Sequence, residues 1–178
     1  LAFFGGTFTA ISIPLQKEFL SVAKEFIDKG LIKGIRLSTR PDNIDLNIVK
    51  MLKEYGVTTV ELGVQSLDNK VLSLSERGYR KEEVERAVKL LKDFQIEVGI
   101  QIMPGLPGSS FKSDLQTVKE VIEMKPNFTR VYPTLVISDT KLEKMFKNNE
   151  FVPLSLDEAV DLTSVIIAVL ENCKIPIN

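Results

Sequence analysis

Phe3-Phe4-Gly5-Gly6-Thr7-Phe8-Thr9 is an apolar strand that runs into two consecutive glycines and, within a few residues, into an amphipathic stretch. Two readings are open. The pair makes a tight strand-to-helix turn, or it lets a ligand meet bare backbone, with no Cβ between the ligand and the N–H and C=O groups. Alone, Gly5-Gly6 decides neither, because short glycine patterns recur by chance. Its setting decides, since the chain repeats the same design downstream.

Leu15, Phe19, Val22 and Phe26 fall on one face of a helix over about 15–29, which Gly30 ends. A strand from Ile32 to Leu37 then terminates in Ser38-Thr39-Arg40-Pro41-Asp42, where Pro41 blocks further pairing. Ile48, Met51, Leu52 and Tyr55 mark the next helix, with Gly56 as its stop. The third strand, Thr58 to Val64, is rich in β-branched residues, carries Glu61 inside it and ends in Gly63-Val64-Gln65-Ser66. A short helix near 69–74 leads to Glu76-Arg77-Gly78-Tyr79-Arg80 and a helix over 81–94 with period 3.6. Strand four, Glu97 to Met103, meets the loop Pro104-Gly105-Leu106-Pro107-Gly108, and a helix over 113–124 follows. Strand five runs from Phe128 to Tyr132, a short helix is expected over 141–146, and Ser155 with Glu158 forms a capping box opening the last helix, about 156–172.

The strands begin near 1, 32, 57, 96 and 128, close to the ~30-residue period of a βαβ unit. That rhythm predicts an α/β fold with a parallel sheet, doubly wound or curled into an open or closed barrel, whose functional loops lie at the carboxyl ends of the strands. Gly5, Gly6, Thr7, Ser38, Gln65, Arg77, Gln101 and Tyr132 all lie at or just beyond strand ends. Solvation of loops accounts for any one of them, but not readily for the whole set.

Composition sets outer bounds. The 178 residues, 44% of them hydrophobic, suit a single domain (1–178) with a sizeable core. No apolar run reaches the ~18 residues of a membrane span and no signal-peptide pattern opens the chain, so a cytoplasmic protein without membrane contact is expected. A formal charge of −1 neither supports nor excludes a nucleic-acid partner. One cysteine, Cys173, and no histidine exclude a disulfide framework and leave no cluster of soft metal ligands. The start at Leu1, inside an expected strand and without methionine, predicts a piece of a longer protein, truncated at its N-terminus. It also predicts an unpaired first strand edge open to self-association.

Taken together, Phe3-Phe4-Gly5-Gly6-Thr7 and Glu61-Leu62-Gly63-Val64-Gln65-Ser66 resemble the radical S-adenosylmethionine (SAM) enzymes over nearly all of the chain. Ser38-Thr39-Arg40-Pro41-Asp42, Arg77-Gly78, Met103-Pro104-Gly105-Leu106-Pro107 and Tyr132-Pro133-Thr134-Leu135-Val136-Ile137 are similar to the Elongator catalytic-subunit branch. Gly-Val-Gln-Ser and Gly-Leu-Pro-Gly are shared with oxygen-independent coproporphyrinogen oxidases. The resemblance implies a partial, TIM-like barrel of six strands, with SAM and a 4Fe-4S cluster whose three cysteines belong upstream of Leu1. It implies that Gly5, Gly6 and Thr7 receive the SAM amino group, Thr7 standing where many members have Glu. By the same correspondence Ser38 lies near the ribose, Gln65 near the ribose or carboxylate, Arg77 at the carboxylate and Gln101 at the ribose hydroxyls. Tyr132 is the candidate substrate contact.

The activity so implied is one-electron cleavage of SAM to a 5′-deoxyadenosyl radical that abstracts a hydrogen atom from the substrate. With a single thiol, the chain alone is expected to be inactive. Three functions remain open: a tRNA-modifying enzyme of the Elongator type, an oxidoreductase acting on a tetrapyrrole, and a catalytically silent module that binds a nucleotide or a partner protein.

Overall fold

The computed structural model describes residues 1–178. Five strands, β1 (Ala2–Phe3), β2 (Ile35–Thr39), β3 (Val57–Gln65), β4 (Glu97–Ile102) and β5 (Phe128–Val131), form one sheet in sequential order, every neighbouring pair parallel. The helices are α1 (Ile13–Asp28), α2 (Leu46–Glu54), α3 (Asn69–Leu74), α4 (Lys81–Asp93), α5 (Phe111–Glu123), α6 (Lys141–Lys147) and α7 (Leu156–Asn172). β1 and β5 do not pair with each other, so the sheet is open, as expected of a partial barrel. β1 pairs only with β2, so its outer edge is free. At the opposite edge Ile177 bridges to Thr129 in parallel, with Thr129 N–H donating to Pro176 O and Asn178 N–H to Thr129 O.

Alternation along the strands separates two faces. Ile35, Leu37, Val60, Leu62, Val98, Ile100 and Ile102 join α2, α4, α5 and α7 residues such as Leu52, Val84, Leu91, Val118 and Ile166 in one buried cluster. The intervening positions, Arg36, Ser38, Glu61, Gly63, Gln101 and Arg130, stand in register across the other face, with Ser38 beside Glu61, Gly63 beside Gln101 and Gln101 beside Arg130. The polar face therefore belongs to neighbouring strands and can act as one surface.

Two expectations need correction. β2 starts at Ile35, not Ile32, because the N–H groups of Leu31 and Ile32 both turn back to Phe26 O and close the end of α1, leaving them unable to pair. Gly34 then lets β2 close on β3: a Cβ there would lie 2.4 Å from Thr58 Cγ2. The second concerns α1, whose buried residues are Gln16, Leu20 and Ala23, whereas Leu15, Phe19, Val22 and Phe26 are exposed by 38–56%. These stripes are adjacent on the helix, and Gln16 takes the inward position because its amide donates to Thr9 O at 3.2 Å and Ile11 O at 2.7 Å. A buried glutamine here ties the Gly5-Gly6 loop to α1.

Candidate functional site

The parallel order brings every strand's carboxyl end to one rim. There, a cavity of about 350 Å³ is lined by Gly5, Gly6 and Thr7 after β1, by Ser38 from β2, by Gln65 from β3, by Gln101 from β4 and by Arg77 from the turn after α3. Seven of the eight expected residues share that space. Tyr132 does not line it; its half-exposed ring lies 5.9 Å from the Arg130 guanidinium, and its N–H extends the sheet by donating to Ile102 O.

The two glycines differ. Gly5 has φ of 101°, a left-handed conformation that L side chains resist, so the backbone itself explains it. Gly6 has no positive φ, and nothing lies within 4 Å of where its Cβ would stand. Neither conformation nor crowding requires glycine at position 6; its bare backbone faces the cavity. Thr7 follows in extended geometry, and its hydroxyl does not cap the turn at 8–10. The loop is anchored behind by Thr9, whose hydroxyl meets that of Thr39 at 2.5 Å.

At β3 the register slips between Gly63 and Gln65, and Gln65 takes φ of 67°. This bulge aims the Gln65 side chain into the cavity, where its Oε1 accepts from Gln101 Nε2 at 3.1 Å. A Cβ on Gly63 would stand 3.0 Å from Gln65 Nε2, so glycine keeps that path clear. Tyr79 fastens the bulge from below, its hydroxyl donating to Gly63 O at 2.7 Å and lying 3.0 Å from Val64 O. Burial pushes the Tyr79 phenol above its ordinary range, and the nearby Arg77 and Arg40 only partly offset this, so the hydroxyl stays protonated and able to donate.

Arg77 donates from Nε to Tyr79 Oη at 3.2 Å and reaches Gly63 O at 3.5 Å, but meets no carboxylate. Its guanidinium turns to the cavity. Arg40 differs: it forks onto Asp42 at 3.0 and 2.8 Å and bonds Arg77 O, holding the Arg77 loop in place. The hydrogen bond to Asp42 raises the Arg40 pKa above its ordinary value. Sequence reasoning missed Arg40, Glu61, Gly63 and Arg130 as cavity residues. Glu61 was visible as a charge inside an apolar strand, the usual sign of a paired or functional carboxylate.

A second cavity, of about 360 Å³, lies where α3 and α5 begin. Most of its polar groups serve the helix ends: Asp68 caps α3, Ser110 caps α5, and Thr117 Oγ1 accepts from Leu67 N–H. It is helix-end architecture.

The radical SAM superfamily model matches residues 1–121, and the radical SAM C-terminal domain model matches residues 126–178. The chain belongs to the radical SAM superfamily. It is 33% identical over 184 residues to a tRNA uridine(34) acetyltransferase of Methanocaldococcus infernus, an alignment spanning 92% of this chain and 34% of that protein. The solved structure of the archaeal Methanocaldococcus infernus Elp3, with residues 1–46 deleted, superposes with a TM-score of 0.88 at 31% identity, covering 100% of this chain and 46% of the other. Coproporphyrinogen III oxidase (HemN) of Escherichia coli superposes with a TM-score of 0.76 at 20% identity over 97% of this chain and 40% of that one, a likeness of fold alone. The chain thus spans about a third of the curated relative's length. The family and the Elongator-like branch read from the motifs are those the comparisons find.

The family's two cofactors fare differently here. The rim cavity offers what SAM requires: an open backbone stretch, amide and hydroxyl groups, and a guanidinium free for a carboxylate. A 4Fe-4S cluster does not fit this chain's own residues. No group of three or more His, Cys, Asp or Glu could hold a metal ion, and Cys173 is exposed at the end of α7. No helix is long and apolar enough to cross a membrane.

Proposed function

We propose that this chain is the SAM-binding core of an Elongator-type radical SAM enzyme that modifies tRNA. The observation that carries the reading is the convergence of Gly5, Gly6, Thr7, Ser38, Gln65, Arg77 and Gln101 on one cavity, from four strand ends and one turn. Backbone carbonyls of the Gly5–Thr7 stretch and the Thr7 hydroxyl accept from the SAM ammonium. Arg77, the cavity guanidinium without a carboxylate partner, takes the SAM carboxylate through a charge-assisted bond. Ser38, Gln65 and Gln101 offer donors and acceptors to the ribose, and the Gln101–Gln65 bond fixes the amide orientations before ligand arrives. When bound, SAM supplies one-electron chemistry that removes a hydrogen atom from the substrate. This chain's part is to bind and orient SAM on the rim.

The tRNA substrate comes from the named activity of the curated relative, and the thiolates of the cluster belong, on this reading, to a segment of the full-length protein outside these residues. A SAM titration tests the site. The parent chain is expected to bind one SAM saturably and Gly6→Val to bind it at least tenfold more weakly, while unfolding within about 2 °C of the parent. Unchanged affinity in the folded variant would remove the assignment.

A further inference from the structure

Beside the SAM cavity, the polar face carries a group of charges that the reading above leaves unused. Glu61 is buried in the middle of β3, its Oε2 2.6 Å from Arg36 Nη2 and its Oε1 3.3 Å from Arg130 Nη1. One carboxylate faces two guanidiniums, so the group holds a surplus positive charge. A single arginine would have sufficed as the counter-ion for Glu61. Each arginine also keeps its Nε–H sealed from solvent without an acceptor, while about 27–28% of each side chain stays exposed. Phe4 is held 5.6 Å from both guanidinium carbons, and the Phe128 ring lies 4.4 Å from that of Arg36. Aromatic contacts hold these forks flat and in place, which suits them to planar, bidentate recognition.

The charges in and around the cavity separate this group from Arg77. Its charged lining is Arg40, Glu61, Arg77 and Arg130, and Asp42 neutralises Arg40. Glu61 in turn offsets Arg130, so Arg77 is the unmatched charge of the cavity lining; Arg36 lies outside that lining, beside Lys33, Gly34 and Glu97, and its charge leaves the Arg36–Glu61–Arg130 group a surplus of one. SAM brings one carboxylate, which the proposed function assigns to Arg77. No anion from the cofactor remains for the Arg36–Glu61–Arg130 group, whose two arginine side chains stay open to an anion arriving from outside.

We infer that Arg36 and Arg130 form an oxyanion subsite that receives a phosphate or carboxylate group of the substrate beside bound SAM. The inference rests on the SAM reading for the assignment of Arg77, and it makes the substrate anionic at its point of contact with β2 and β5. Glu61 holds both forks in position and leaves one net positive charge for the incoming group.

The test is titration of the chain with inorganic phosphate and, separately, with acetate, each with and without saturating SAM. One of the two anions is expected to bind at one site per chain and to persist when SAM is present; the tighter one identifies the substrate group. Arg130→Gln, which leaves Arg36 to pair with Glu61, is expected to weaken that anion at least tenfold, and Arg130→Lys to fall between, retaining charge but losing the fork. Lys89→Ala, on the exposed face of α4, controls for general charge. Absence of saturable binding, displacement of the anion by SAM, or undiminished affinity in a folded Arg130→Gln protein would each overturn the subsite. Failure of the parent chain to bind SAM would remove the cofactor reading alone, since the anion titration without SAM reports on Arg130 independently.

Discussion

On the SAM reading proposed above, Gly6 and Arg77 are the residues that matter most; Gly6 has no competing role inside the fold, while Arg77 also bonds Tyr79 Oη and Gly63 O. A side chain at Gly6 would enter open space, so Gly6→Val should cost affinity for SAM and little stability. Arg77→Ala removes one charge-assisted contact, worth about 1.5–3 kcal/mol, and is expected to weaken SAM binding roughly 10- to 150-fold in an equilibrium titration. Asp114 shows a different kind of residue effect. It is buried, accepts from Gly105 N–H at 3.0 Å, and burial raises its pKa from the ordinary 3.8 to about 6 despite that bond. Between those values the folded chain binds more protons than the unfolded one, so stability falls as pH rises from about 4 to about 6, by at most roughly 3 kcal/mol. Denaturant unfolding at pH 4 and pH 7 should show this loss in the parent and its disappearance in Asp114→Asn. An equal loss in the variant would place the pH dependence elsewhere.

At the scale of single elements, α1 sets a limit on what periodicity can tell. Its apolar stripe of Leu15, Phe19, Val22 and Phe26 and its buried stripe of Gln16, Leu20 and Ala23 are one residue apart, about 100° around the helix. Hydrophobicity selects the first stripe; the carbonyls of Thr9 and Ile11, which need donors, select the second. That demand comes from a loop and leaves no periodic trace. Leu20→Ala is therefore expected to cost about 2–5 kcal/mol in denaturant unfolding. Phe19→Ser, on the stripe that reads as the core face, should cost about 1 kcal/mol or less, and the reverse ranking would contradict the assignment of faces. The strands were easier to read. Their ends shift by one or two residues except at β2, where closure of the preceding helix consumed Leu31 and Ile32.

Across the whole molecule, the ~30-residue rhythm made the parallel sheet legible, and a parallel sheet has only one rim for its carboxyl-terminal loops. This is why Gly6, Ser38, Gln65 and Gln101, far apart in sequence, could be named together and then found on one cavity. Arg130 and Arg36 were not legible in that way. Each reads as an ordinary strand charge until the register brings β2, β3 and β5 side by side around Glu61. With one thiol in 178 residues, the chain reconstituted anaerobically with iron and sulfide is expected to show no 4Fe-4S absorption, and a brown, stoichiometric cluster would contradict the ligand count. The most direct measurement is an experimental structure of the chain with SAM bound. The expected result has the SAM amino group against the Gly5–Thr7 backbone and its carboxylate against Arg77; SAM located away from the rim, or a carboxylate that does not meet Arg77, would contradict it.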